Sequence, residues 1–147
     1  MGLGGADTAE DDPSAQHIVI APVACAMPNR QASNPKLVGA GRIRLVPGTK
    51  TFQIYQRPET DEEYFCNFEV NPAYEAPLES AGVRIAARGP NGEVRGVELP
   101  SHRFFLATLF QPQRSSAAGK PHPLIASFLL AAARFHEERE RATVTKH

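Results

Sequence analysis

Apolar residues fall in short runs separated by turn signals, a pattern of several strands and few long helices. Residues 17–25 (HIVIAPVAC) begin with a β-branched run suited to a buried strand, which Pro22 ends or leaves at an edge. Residues 28–41 are rich in Pro, Asn, Ser and Gly and predict a loop. Residues 42–46 alternate, with Ile43 and Leu45 on one face and Arg42 and Arg44 on the other. After the Pro47-Gly48 turn, residues 51–56 alternate again and bring Phe52 and Ile54 together. The two segments predict a short antiparallel pair.

Residues 64–70 are aromatic and β-branched enough for another strand. Asn71 then predicts the cap of a helix from Pro72 to about Ser80, with proline at its first position and Gly82 at its end. Segments 83–87 and 94–99 flank Gly89-Pro90-Asn91-Gly92, a hairpin signal. Residues 104–110 (FFLATLF) carry no charge and predict a strand covered on both faces. From His122 the chain turns helical, with Pro123 at the first position. Ile125, Phe128, Leu129, Ala132 and Phe135 recur at three- and four-residue steps as one apolar stripe. Arg134–Glu138 and Glu137–Arg141 are opposite-charge pairs worth about 0.3 kcal/mol each. Residues 1–16 show no periodicity and read as a flexible lead-in. The pattern is mixed α/β with much antiparallel pairing, in one domain.

Composition narrows the function classes. The 147 residues are 41% hydrophobic and 22% charged, enough to build a core. Sixteen basic and sixteen acidic side chains cancel, which removes the simplest case for a nucleic-acid partner. No apolar run approaches the ~20 residues that cross a bilayer, and the glycine-rich, acidic start is unlike a signal peptide. No membrane partner, a reduced cytoplasmic setting and no cofactor are therefore expected. Two cysteines, Cys25 and Cys66, exclude a four-cysteine zinc site. His136-Glu137 begins like a helical zinc motif, but residue 140 is Glu, so the second imidazole is missing and no metal is expected.

Candidate chemistry is sparse. Cys25 closes a strand, where a nucleophile can sit, but Ala24 and Ala26 replace the glycines that a sharp elbow needs. Cys66 lies mid-strand, and a thiol or redox role remains open for either cysteine. His102 and His122 flank residues 104–110 and the loop that follows. In open α/β sheets, ligands gather beyond the carboxyl ends of strands. This singles out Phe110-Gln111-Pro112-Gln113-Arg114 as the informative loop.

GAGRIRL (39–45), YFCNFEVNPAYEAPLESAGVRIAARGPNGEV (64–94), VELPSHRFFLATLFQPQ (97–113) and HPLIASFLLAA (122–132) follow one another in the order and spacing of a known family. From about residue 17 to 135 the chain resembles the carboxyl-terminal half of a class I glutamine amidotransferase domain of the CTP synthase type. Ala24-Cys25, Arg44-Leu45-Val46-Pro47-Gly48 and Leu109-Phe110-Gln111-Pro112 resemble more closely a smaller group described as CTP-synthase C-terminal-region-related proteins.

The resemblance implies an α/β fold, a partial flavodoxin-like three-layer domain with antiparallel strand additions. Residues 17–142 would form it, with 143–147 as a tail. It also implies a mechanism in which an elbow cysteine attacks the glutamine amide, a histidine takes the thiol proton and a glutamate orients the histidine. The ammonia released then feeds the conversion of UTP to CTP. The Phe-His-Pro-Glu loop of the family aligns with 110–113, so Gln111 and Gln113 stand at the histidine and glutamate positions. A carboxamide is not basic near neutral pH, and a neutral side chain cannot stabilise an imidazolium. The basic stretch that helps the family hold glutamine reads here Glu62-Glu63-Tyr64-Phe65-Cys66-Asn67.

By the same resemblance, the elbow and oxyanion glycines belong to a region preceding residue 17. Three expectations follow. The chain is a non-catalytic amidotransferase relative with a small-molecule or protein partner near Gln111, a thiol enzyme using Cys25 or Cys66, or a half-domain that pairs with itself or with a separate amino-terminal half.

Overall fold

A computed structural model describes residues 2–23 and 37–144; Cys25 and the loop expected at 28–36 lie outside the described residues. The alternation at 42–45 is realised: Ile43 and Leu45 are buried and Arg42 and Arg44 face solvent. They end a longer strand, β3 (Leu37–Leu45), so residues 37–41 are strand where loop was expected. Two glycines there have separate reasons, one of packing and one of backbone conformation. At Gly41 an added Cβ would stand 3.0 Å from the Tyr64 ring, and Gly39 holds φ at 88°, which a side chain would strain. β3 pairs antiparallel with β4 (Glu59–Cys66) from Leu37↔Cys66 to Arg44↔Glu59.

The expected pairing of 42–46 with 51–56 does not form, because the second segment is helix α1 (Lys50–Tyr55). The Thr49 side chain accepts from the Phe52 amide at 3.0 Å. The buried carboxylate of Glu98 accepts the Lys50 and Thr51 amides, each at 3.1 Å. Four free amides at a helix start favour such an anion. Gln56, at φ 53°, closes the helix.

The hairpin at 89–92 is as expected, joining β6 (Arg84–Arg88) to β7 (Val94–Glu98). The uncharged run 104–110 is not a strand covered on both faces. Only β8 (Leu106–Thr108) is extended, at the edge of a sheet ordered β4-β3-β6-β7-β8, and Phe105 is exposed. Apolarity there reflects Phe110 sinking into the core and Phe104 packing on Phe128, not a central strand.

A second sheet holds β1 (Ala6–Thr8), β2 (His17–Pro22) and β5 (Phe68–Val70), ordered β1-β2-β5. Part of the supposed lead-in is thus strand: β1 runs parallel to β2, and Ala9 donates to the Ile20 carbonyl at 2.9 Å. The segment 64–70 divides at Asn67 between the two sheets. Asn71 accepts from the Ala73 amide and donates to the Ile18 carbonyl, fixing a 3-10 turn (Pro72–Tyr74) that leads into α2 (Glu75–Ser80).

The last helix, α3 (Pro123–Val144), starts where expected, but the expected stripe is not its buried face. Ile125 is half-buried and Phe128, Leu129, Ala132 and Phe135 are exposed, whereas Leu124, outside that stripe, enters the core. Glu137–Arg141 forms at 3.3 Å; Glu138 turns instead to Arg103 at 2.8 Å. The core joins Ile43, Leu45, Tyr55, Tyr64, Ala87, Phe110 and Leu124 between the larger sheet, α1 and the start of α3. Among the described residues no helix is long and apolar enough to cross a membrane.

Candidate functional site

The loop singled out by sequence leaves the core at Phe110 and is fastened to β4. The Gln111 amide donates to the Glu63 carbonyl at 2.8 Å, and the Gln111 side chain reaches the Phe65 carbonyl at 3.4 Å. Pro112–Arg114 forms a 3-10 turn that leaves Gln113 exposed. Arg114 lies over the exposed Phe65 ring, 5.6 Å from its centroid. The Gln111 carboxamide is thus held beside the end of β4, which also carries Cys66.

Cys66 is a free, half-buried thiol. Its Sγ donates to the Phe68 carbonyl at 3.2 Å and accepts from the Phe68 amide at 3.4 Å, bridging the break between the sheets. Cys25 lies outside the described residues, so the Cys25–Cys66 pair has no described geometry.

The described imidazoles are all engaged elsewhere. His17 Nδ1 meets the Tyr74 hydroxyl at 3.0 Å, and His102 Nδ1 accepts from the Phe104 amide at 3.3 Å. His136 lies 3.2 Å from Glu140 on the wet side of α3. His122 is buried. Its Nδ1 accepts from the Leu124 amide at 3.2 Å, which leaves the hydrogen on Nε2, facing Glu62 Oε2 at 3.0 Å. The Tyr55 hydroxyl donates to Glu62 Oε1 at 2.5 Å and lies 3.3 Å from His122 Nε2.

Sequence reasoning missed this Tyr55–Glu62–His122 cluster, which ties α1, β4 and the start of α3 together. A signal was present: Glu62 and Tyr64 share one strand parity, so an acidic residue points inward with an aromatic one. Burial pushes the Tyr55 hydroxyl well above the usual phenol value, and the Glu62 carboxylate acts in the same direction. Burial likewise raises Tyr64. The stability held by these neutral hydroxyls is complete below the ordinary tyrosine value of about 10. It is lost at higher pH, because the unfolded chain then releases protons that the folded chain retains. Alkaline unfolding is therefore expected to begin just above that pH and to be blunted in Tyr55→Phe, as followed by circular dichroism. A stability profile identical in the variant would contradict this.

A second missed cluster surrounds Arg95, which is only 6% exposed. It donates to Glu69 at 3.2 Å and to Glu93 at 2.8 Å, and lies over the Tyr64 ring. A cleft of about 340 Å³ opens beside it, walled by Leu37, Val38 and the Gly39–Gly41 backbone, with Tyr64, Glu93 and Arg95 also lining it. Gln111 does not line this cleft.

No protein-family model matches the chain. It is 33% identical over 144 residues to CTP synthase of Pelotomaculum thermopropionicum, covering 95% of this chain and 26% of that one. Over 139 residues it is 35% identical to CTP synthase of Acidothermus cellulolyticus, covering 90% and 25%. The chain spans about a quarter of the length of these relatives. Its fold is similar to the glutaminase domain of Trypanosoma brucei CTPS with bound acivicin, with TM-score 0.80 and 31% identity over 90% of this chain and 52% of that chain. In sequence and in fold, the chain corresponds to the carboxyl-terminal half of a class I glutamine amidotransferase domain of the CTP synthase type.

Proposed function

We propose that this chain is a glutamine amidotransferase-like protein of pyrimidine nucleotide metabolism, acting in the cytoplasm, that does not hydrolyse glutamine. The observation that carries the reading is the loop at 110–113, where Gln111 and Gln113 offer neutral carboxamides in place of a base and its orienting carboxylate. A thiol attacks an amide efficiently only when a neighbouring group accepts its proton. The hydrogen bonds of His17, His102, His122 and His136 lead to Tyr74, Phe104, Glu62 with Leu124, and Glu140, which supports the absence of a substitute base among the described residues. The protein would instead hold a small molecule at the Gln111 loop, or join a polypeptide that supplies the rest of the domain.

Purified protein supplied with glutamine is expected to release no ammonia above the buffer blank, and Cys25→Ala is expected to behave identically. Hydrolysis above background that disappears in Cys25→Ala would refute the reading.

A further inference from the structure

We infer that the cleft beside Arg95 is a binding site for a small uncharged molecule, a single ring carrying a carbonyl acceptor. A guanidinium has five N–H groups. Among the described residues that of Arg95 donates two hydrogen bonds, from Nη1 to Glu69 and from Nη2 to Glu93. Its other N–H groups have no protein acceptor there, although the residue is only 6% exposed. A buried donor needs an acceptor, and the cleft that Arg95 lines is where one can reach it.

The charges around the cleft select a neutral ligand. Arg42 and Arg95 line it together with Glu69 and Glu93, two positive side chains against two negative ones. Arg42 is also held by Asp61 at 2.6 Å and Glu59 at 3.4 Å, so it offers no surplus charge to an anion. An anion on Arg95 would in addition lie against the two carboxylates. A cation fares no better, because both oxygens of Glu93 are engaged, one by Arg95 and the other by the Asn91 amide at 2.9 Å. The remaining surface is apolar, from Leu37 and the Tyr64 ring. Gly39 adds room: nothing lies within 4 Å of an added Cβ, and its φ of 88° disfavours any side chain there. A volume of about 340 Å³ is at the small end of ligand sites, which suits one ring and one polar substituent. Gln111 does not line this cleft, so the inference stands apart from whatever that loop holds.

Three probes of one shape and different charge test it on the full 147-residue chain: benzamide, benzoate and benzamidine. Amide shifts in ¹H–¹⁵N spectra are followed through each titration. Benzamide is expected to shift Gly39, Gly41, Asn91 and the Arg95 Nε resonance saturably, with a Kd on the order of 1 mM for so small a ligand. It should bind about tenfold more tightly than either charged analogue, since a charge enters the cleft without a free partner. Arg95→Lys keeps a cation between Glu69 and Glu93 but loses the spare donors of the fork, and should weaken benzamide about tenfold with the rest of the spectrum near native. Benzoate or benzamidine binding as tightly as benzamide overturns the inference. So do benzamide shifts that survive in Arg95→Lys or map to the Gln111 loop instead. The absence of saturable shifts up to about 20 mM benzamide, as when residues 24–36 of the chain itself fill the cleft, overturns it as well. Should Arg95→Lys not fold, the benzamide map and the charge series on the unaltered chain decide alone.

Discussion

Glu62→Leu is expected to lower the unfolding free energy by about 4 kcal/mol, measured by urea denaturation. Glu62 is 3% exposed and accepts from both the Tyr55 hydroxyl and His122 Nε2. Leucine fills much of the volume but leaves two buried donors unpaired, at about 1–3 kcal/mol each. Tyr55→Phe removes one donor while the carboxylate keeps His122, so its cost should be nearer 1 kcal/mol. Because His122 also accepts the Leu124 amide, the first turn of α3 should exchange its amide hydrogens faster in Glu62→Leu. Equal effects of the two substitutions would show that the carboxylate is not the hub.

Arg95→Met is expected to cost about 3 kcal/mol in the same experiment, the low end of the range for breaking a buried ion pair. The low end applies because Glu69 and Glu93 keep side-chain exposures of 15% and 21%, so water partly relieves them once the guanidinium is gone. The side chain also links β7 of the larger sheet to β5 of the smaller one. Its loss should therefore loosen the smaller sheet first, with exchange at Val19 and Ile20 rising before exchange at Ile43 and Leu45. Combining Arg95→Met with Glu69→Gln and Glu93→Gln should recover part of the loss, since the stranded charges are then removed. A single-substitution cost below about 1 kcal/mol would mean the cluster is solvated rather than structural.

Several elements were legible because their signals are local. Asn71 before Pro72, the Gly89–Gly92 turn and the alternation of Ile43 with Leu45 each depend on residues within a few positions. The segment 51–56 was misread because Phe52 and Ile54 satisfy a strand pattern. Thr51 and Tyr55, one helical turn apart, are the residues that become buried. What tips the choice is Glu98, 47 positions away, whose carboxylate caps the helix. The 104–110 run misled for another reason: its aromatics serve the core and α3 separately, so an uncharged stretch did not mark a central strand.

The relationship to CTP synthase was readable from residue identity and order alone, as were the carboxamides of Gln111 and Gln113 themselves. Chemical character travels with the side chain, and a carboxamide is non-basic wherever the fold puts it. Tertiary structure decided where the buried charges went. Glu62, Glu98 and Arg95 find His122, the α1 amides and Glu69 only at long separations along the chain. A charge leaves water only where partners converge on it, and convergence is a property of the folded chain.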